Sequence, residues 1–249
     1  MKFETLLFRE AGHIGHLIFN RPEKGNAINS LMTDELLQLT SEIRGSATIK
    51  ALILSGSGSN FITGADINEF ARIDQEPELV HNFLENGRRF MRSLSEIPQL
   101  TIAAVSGHAL GGGLEVALAC DYILAGESAR FGLLEITLGL IPGAGGTQLL
   151  PLRVGPGIAR RMILTGEIMD SATALASRLA DRVVPDKVLL KTAEEIAAPL
   201  AKSPLYALRL AKKALSHGDY LNFESESHCF RDCLNQPEFR ERVNKFISK

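Results

Sequence analysis

The chain has 249 residues, a formal net charge of −2, 45% hydrophobic and 22% charged residues. That is long enough to bury a full core without staples, in one α/β domain with a helical extension or two closely packed subdomains. The near-neutral charge supplies no field to gather DNA or an anionic membrane, while leaving room for a local cationic patch facing one phosphorylated ligand.

Cys120, Cys229 and Cys233 are an odd, sparse set, which points away from a disulfide framework and towards a reducing compartment. Cys229 and Cys233 lie four apart beside His228, but no further ligands stand at workable spacing for a metal, and they read as packing or surface thiols. The N-terminus lacks the basic start, apolar stretch and cleavage site of a signal peptide. No apolar run reaches the length of a membrane span. A soluble, cytoplasmic protein is expected.

Residues 13–20 (HIGHLIFN) alternate apolar and polar positions and end at Asn20-Arg21-Pro22, the pattern of a strand running into a turn. Residues 30–44 place Leu31, Leu36, Leu39 and Ile43 near one helical face. Residues 51–55 (ALILS) read as a buried strand followed by a Gly/Ser loop at 56–60. Residues 78–94 form a long amphipathic helix that stops before Pro98. Residues 101–105 and 122–125 are short apolar strands. This alternation predicts an α/β core with mainly parallel pairing. From about Lys191 the strand signals cease, and residues 192–200, 205–215, 223–234 and 237–247 read as helices. The expected division is therefore 1–190 for the core and 191–249 for a helical subdomain.

The most informative stretch is residues 106–121, SGHALGGGLEVALACD. Gly111, Gly112 and Gly113 let the backbone approach a ligand closely. A helix starting there presents amides without intrahelical partners, and these favour negative charge. Gly112 N–H is thus a candidate oxyanion donor. Glu115 follows about one turn later among apolar neighbours, where a carboxylate is costly unless it is paired or useful. A plain interaction of Glu115 with the helix dipole is the structural alternative. The segment lacks the Lys-Ser or Lys-Thr of a phosphate loop and is no dinucleotide fingerprint.

Four motifs in order resemble the crotonase (enoyl-CoA hydratase/isomerase) superfamily. They are Asn20-Arg21-Pro22 with Asn26-Ala27, Phe61 to Ile67 (FITGADI), the strand and glycine segment from Ile102 to Glu115, and Ile141 to Gln148 (IPGAGGTQ). The resemblance covers residues 10–190 closely. It implies a spiral of repeated ββα units with a C-terminal helical subdomain, and a homotrimer or homohexamer with the tail at subunit contacts.

It further implies an oxyanion hole from the amides of Ala65 and Gly112. Gly64, Ala65, Asp66 and Ile67 are expected to line coenzyme A, Ala27 and Gly111 to lie in the substrate site, and Arg21 and Lys24 to meet its phosphates. A second acid comes from the F-G-x-x-E segment, here Phe131 to Glu135, 20 residues after Glu115. By resemblance, Glu115 activates water at the β carbon of a 2-enoyl-CoA thioester and Glu135 delivers a proton at the α carbon. The thioester is the substrate, so no cofactor or metal is implied, and no nucleic-acid or membrane partner. Double-bond isomerisation by the same site and a non-catalytic scaffold are the competing expectations.

Three departures stand out. Leu133-Leu134 replaces the Gln-Pro of F-G-Q-P-E, which leaves acyl specificity open. Arg178 stands where the family usually has Gly. The chain ends at Lys249, short of the family's usual basic tail.

Overall fold

The computed structural model describes residues 3–70 and 77–215, and beyond these 228, 230–233, 235–239 and 241, with the side chains of 70, 77–84 and 201 excepted. In chain order the first elements are β1 (Leu6–Ala11), β2 (Ile14–Phe19), α1 (Ser30–Gly45), β3 (Ala51–Gly56), α2 (Ile67–Phe70) and α3 (Pro77–Glu96). Next come β4 (Leu100–Val105), β5 (His108–Leu110), α4 (Gly112–Leu118), β6 (Tyr122–Gly126), β7 (Arg130–Gly132) and α5 (Gly146–Thr165). The last are β8 (Ile168–Asp170), α6 (Ser171–Ala176), β9 (Arg182–Val184), α7 (Leu189–Ala197) and α8 (Leu205–Leu215).

The strands form two sheets. The larger has the order β1-β2-β3-β4-β6-β9, and the smaller has β5-β7-β8. Among the described residues only β1–β2 is antiparallel in the large sheet, and every later pairing there is parallel, as the alternation of elements predicts. The chain steps from one sheet to the other by β4-β5 and again by β6-β7, each pair followed by a helix. This is the expected ββα repetition. Residue 62, after β3, bridges Ala109 in β5 and supplies the same step for its own unit.

The core follows from the pleat. On β3, Leu52 and Leu54 join the cluster that includes Met32, Leu36 and Leu39 of α1 and Phe90 and Leu94 of α3. Ala51 and Ile53 point the other way and pack with Leu189, Ala193 and Ala197 of α7. Both sheet faces are thus covered, which is what a parallel sheet needs. The division expected at residue 190 falls at the start of this packed α7. Helix α8 returns to the same sheet: Lys212 Nζ donates to Gln99 O (2.9 Å) and Asp121 Oδ2 (2.6 Å). The helices expected at 223–234 and 237–247 lie largely outside the described residues, as do Cys229 and Lys249. Among the described residues no helix is long and apolar enough to cross a membrane.

Arg178 keeps the turn that its family position calls for. Its φ of 63° is left-handed, a conformation that glycine adopts without steric cost.

Candidate active site

The two acids emerge from neighbouring strands of the small sheet. β5 and β7 run parallel, with Leu110 opposite Gly132. Beyond β5 the chain turns at Gly111, whose φ is +50°, and enters α4 at Gly112. Beyond β7 it enters a short 3-10 turn at Glu135–Leu138. Each acid therefore lies just past the carboxyl end of one of two adjacent strands.

Glu115 is 3% exposed. Its Oε1 accepts from the main-chain amides of Ala144 (2.9 Å) and Gly146 (2.8 Å). Two directed amides fix the rotamer of the carboxylate and leave Oε2 turned towards Gly112. A first side-chain carbon at Gly112 would stand 4.0 Å from that oxygen, and one at Gly111 would stand 3.2 Å from Glu135 Oε1. The carboxyls thus converge on two consecutive glycines whose missing side chains leave the space open. Glu135 Oε2 is buried and has no hydrogen-bond partner among the described residues. An orphaned buried carboxyl oxygen is suited to donating, once protonated, to something that enters the site.

Burial pushes the Glu135 carboxyl up from 4.5 to about 6, its own main-chain amide opposes the rise, and the Glu115 charge adds to it. Burial also raises Glu115, against the two amides that hold its ionised form. The Glu115 charge is the smallest of the influences on Glu135, and burial is the largest. Burial and the neighbouring negative charge both favour a proton on Glu135.

Two amides border the same space. Gly112 opens α4, so its N–H has no intrahelical acceptor. Ala65 bridges Ile28 in parallel fashion, and the hydrogen bonds of that bridge are made by its neighbours: Ile28 N–H to Gly64 O and Asp66 N–H to Ile28 O, both 2.8 Å. The N–H groups of Ala65 and Gly112 have no acceptor among the described residues. The two segments touch, since a carbon added at Gly111 would lie 3.7 Å from Gly64 Cα.

Glu115, Glu135, Gly64, Ala65, Gly111 and Gly112 therefore surround one space. Arg21, Ala27 and Asp66 form a second cluster beside it. Arg21 Nη2 donates to Asp66 Oδ2 (2.9 Å) and Nη1 to Ala27 O (2.6 Å). Burial alone would raise Asp66, but hydrogen bonds from Arg21 and Asn68 and the Arg21 charge hold its carboxyl below the usual range. Lys24 stands apart, exposed at the end of a 3-10 turn, and Ile67 is 66% exposed. Neither is brought to the acids. Among the described residues no cluster of three or more His, Cys, Asp or Glu side chains is placed to hold a metal.

The sequence reading missed the amides of Ala144 and Gly146. They lie inside the IPGAGGTQ motif, which carries the resemblance but does not by itself reveal that it holds Glu115. Leu133 was read only as a departure. It is fully buried and stands against the Gly146 end of the same loop.

Residues 9–249 match the family model for enoyl-CoA hydratase/isomerase. The chain belongs to the enoyl-CoA hydratase/isomerase family. The short-chain-enoyl-CoA hydratase of Clostridium acetobutylicum is 34% identical over 100% of this chain and 97% of its own. The 2,3-dehydroadipyl-CoA hydratase of Escherichia coli is 40% identical over 94% of this chain and 91% of its own. Among solved structures, the enoyl-CoA hydratase of Bacillus anthracis superposes with a TM-score of 0.92 at 34% identity, covering 98% of this chain and 96% of that one. The family membership, the ββα spiral and the full-length likeness agree with one another.

Proposed function

We propose that this chain adds water across the double bond of a 2-enoyl-CoA thioester, with Glu115 and Glu135 as its catalytic acids. One observation carries the reading. A buried Glu115 carboxyl and a half-buried Glu135 carboxyl, whose Oε2 is itself buried, converge beside two main-chain N–H groups that have no acceptor among the described residues.

Water adds slowly to such a thioester because negative charge must collect on the thioester oxygen. The amides of Ala65 and Gly112 stabilise that charge without reorganising, an effect typically worth roughly 3 kcal/mol per donor. Ionised Glu115, held by Ala144 and Gly146, takes a proton from water as the water oxygen bonds to the β carbon. The displaced electron pair moves to the thioester oxygen. Protonated Glu135 then gives its proton to the α carbon as the carbonyl re-forms. One acid gains a proton and the other loses one, so exchange between the two restores the starting pair. The raised affinity of Glu135 for its proton supports the donor role.

The enzyme is further read as a homotrimer or homohexamer. Leu138 and Ile141 are 64% and 71% exposed in the isolated chain, which supports coverage by a second copy. Light scattering tests this.

A panel of 2-enoyl-CoA thioesters of varied length and branching tests the activity, with loss of the conjugated-thioester absorbance as readout and labelled water followed into product. Incorporation at the β carbon is expected. Double-bond migration without incorporation establishes the isomerase reading instead. Inertness towards the whole panel overturns the proposal.

A further inference from the structure

The Ala65 amide is held in place by neighbours rather than by a bond of its own. Gly64 O and Asp66 N–H, on either side of it, are both tied to Ile28. Asp66 continues the restraint through its side chain. Oδ2 receives Arg21 Nη2 at 2.9 Å, while Oδ1 receives Asn68 N–H at 3.1 Å and Asn68 Nδ2 at 2.9 Å. Arg21 in turn reaches Ala27 O with its other prong, and its main-chain N–H is fixed at 2.9 Å by Asn26 Oδ1. The Arg21 and Asp66 side chains are only 16% and 10% exposed. Further along the strap, Glu69 accepts from Ser30 N–H at 2.9 Å and from Ser30 Oγ at 2.8 Å. Thr63 N–H also donates to Gly25 O at 3.0 Å, so the segment carrying Ala65 is clasped to residues 21–30 at four levels, and the Arg21–Asp66 pair is the side-chain level nearest Ala65.

We infer that Arg21 and Asp66 are positioning residues whose ion pair aims the Ala65 N–H at the thioester oxygen. This rests on the hydration reading and gives Arg21 a task other than meeting a phosphate of coenzyme A. A two-pronged guanidinium suits the task, because it spans the Asp66 carboxylate and the Ala27 carbonyl at once. Lysine has one point charge and cannot hold both in the same geometry. Oxyanion donors act through placement, so a small loss of aim is read in the rate of the chemical step rather than in thioester affinity.

The test compares crotonyl-CoA with crotonyl-pantetheine, which has the same reacting group and no nucleotide phosphates. Arg21→Met is expected to lower kcat roughly 10- to 100-fold on both substrates, with KM held within about threefold. Asp66→Asn, nearly isosteric, is expected to do the same, and the double variant to lose little more than either single one. Arg21→Lys is expected to recover part of the loss. If Arg21→Met fails to fold, Asp66→Asn and Arg21→Lys carry the comparison.

A rise in KM confined to crotonyl-CoA makes Arg21 a phosphate contact and overturns the inference. Unchanged kcat per folded site also overturns it, whatever the melting temperature does. Failure of the hydration reading looks different, since wild-type protein would then hydrate no member of the enoyl-thioester panel. In that event acetoacetyl-CoA serves as the probe. A weaker enolate absorption band on Arg21→Met than on wild type sustains the clamp, and equal bands overturn it.

Discussion

Replacing Glu135 by Gln isolates the effect of burying an acid for chemistry. In the folded chain this carboxyl holds its proton up to about pH 6, against 4.5 for an ordinary glutamate. The folded state therefore binds the proton more tightly than the unfolded state. Its contribution to stability is fully present below pH 4.5 and is lost as pH rises through about 6. The whole displacement corresponds to roughly 2 kcal/mol, of which about 1.3 kcal/mol falls between pH 5 and pH 8. Discounting for the partial solvent access of the side chain leaves about 1 kcal/mol. Glutamine has nothing to titrate. Urea unfolding of wild type and Glu135→Gln at pH 5, 6, 7 and 8, at one protein concentration, should thus show wild type losing about 1 kcal/mol more than the variant over that range. Glu115 titrates in both proteins, and losing its neighbour's charge can only lower its proton affinity, which widens the same difference. Parallel curves would refute the claim that the fold raises the proton affinity of Glu135.

Glu115→Gln keeps an oxygen for the Ala144 and Gly146 amides, so urea unfolding should shift by no more than about 1 kcal/mol while hydration falls on the order of 10³-fold or further. Thioester binding, measured by calorimetry, should be nearly unchanged. Arg178→Gly relieves a left-handed residue on an exposed turn and should stabilise the fold by about 0.5–1 kcal/mol, read as a higher denaturant midpoint at unchanged slope. Asn26→Asp replaces an amide that donates to Ser57 O and Asn60 O with an anion facing both carbonyls, in a residue that is fully buried. A loss of roughly 3 kcal/mol is expected in the same unfolding assay.

Long, strongly patterned elements were legible in the sequence. The helix read at 30–44 is α1, and the strands read at 51–55, 101–105 and 122–125 are β3, β4 and β6. Strand β1 was not legible because only Leu6 of its six residues is buried, so it lacks alternation and owes its conformation to pairing with β2. β5, β7, β8 and β9 have three residues each, too few for any period. Helix α5 hides behind Pro151 and Pro156, and the backbone does leave helical geometry at Gly155 (φ 77°, ψ 161°). In the site, Gly112 and Glu115 were readable because they share one helix start. Glu135 was readable only by resemblance. The partnership of Arg21 with Asp66 spans 45 residues and leaves no local trace.

The spacing of 20 between the acids matches no helical or strand period, yet the fold accounts for it. Leu110 and Gly132 are partners across β5 and β7, 22 apart in sequence. Glu115 follows the first by five residues and Glu135 follows the second by three, which brings 22 down to 20. The chemistry depends on the two exits rather than on the separation. The exit from β5 must turn at a glycine and complete one helical turn before its acid points back at the strand ends. The exit from β7 must reach its acid within a single short turn. Parallel strands deliver both exits to the same edge of the sheet, and that edge is where the Ala65 strap crosses. Acid pair and amide pair are thus consequences of one register, set by three-residue strands whose individual sequences say nothing about pairing.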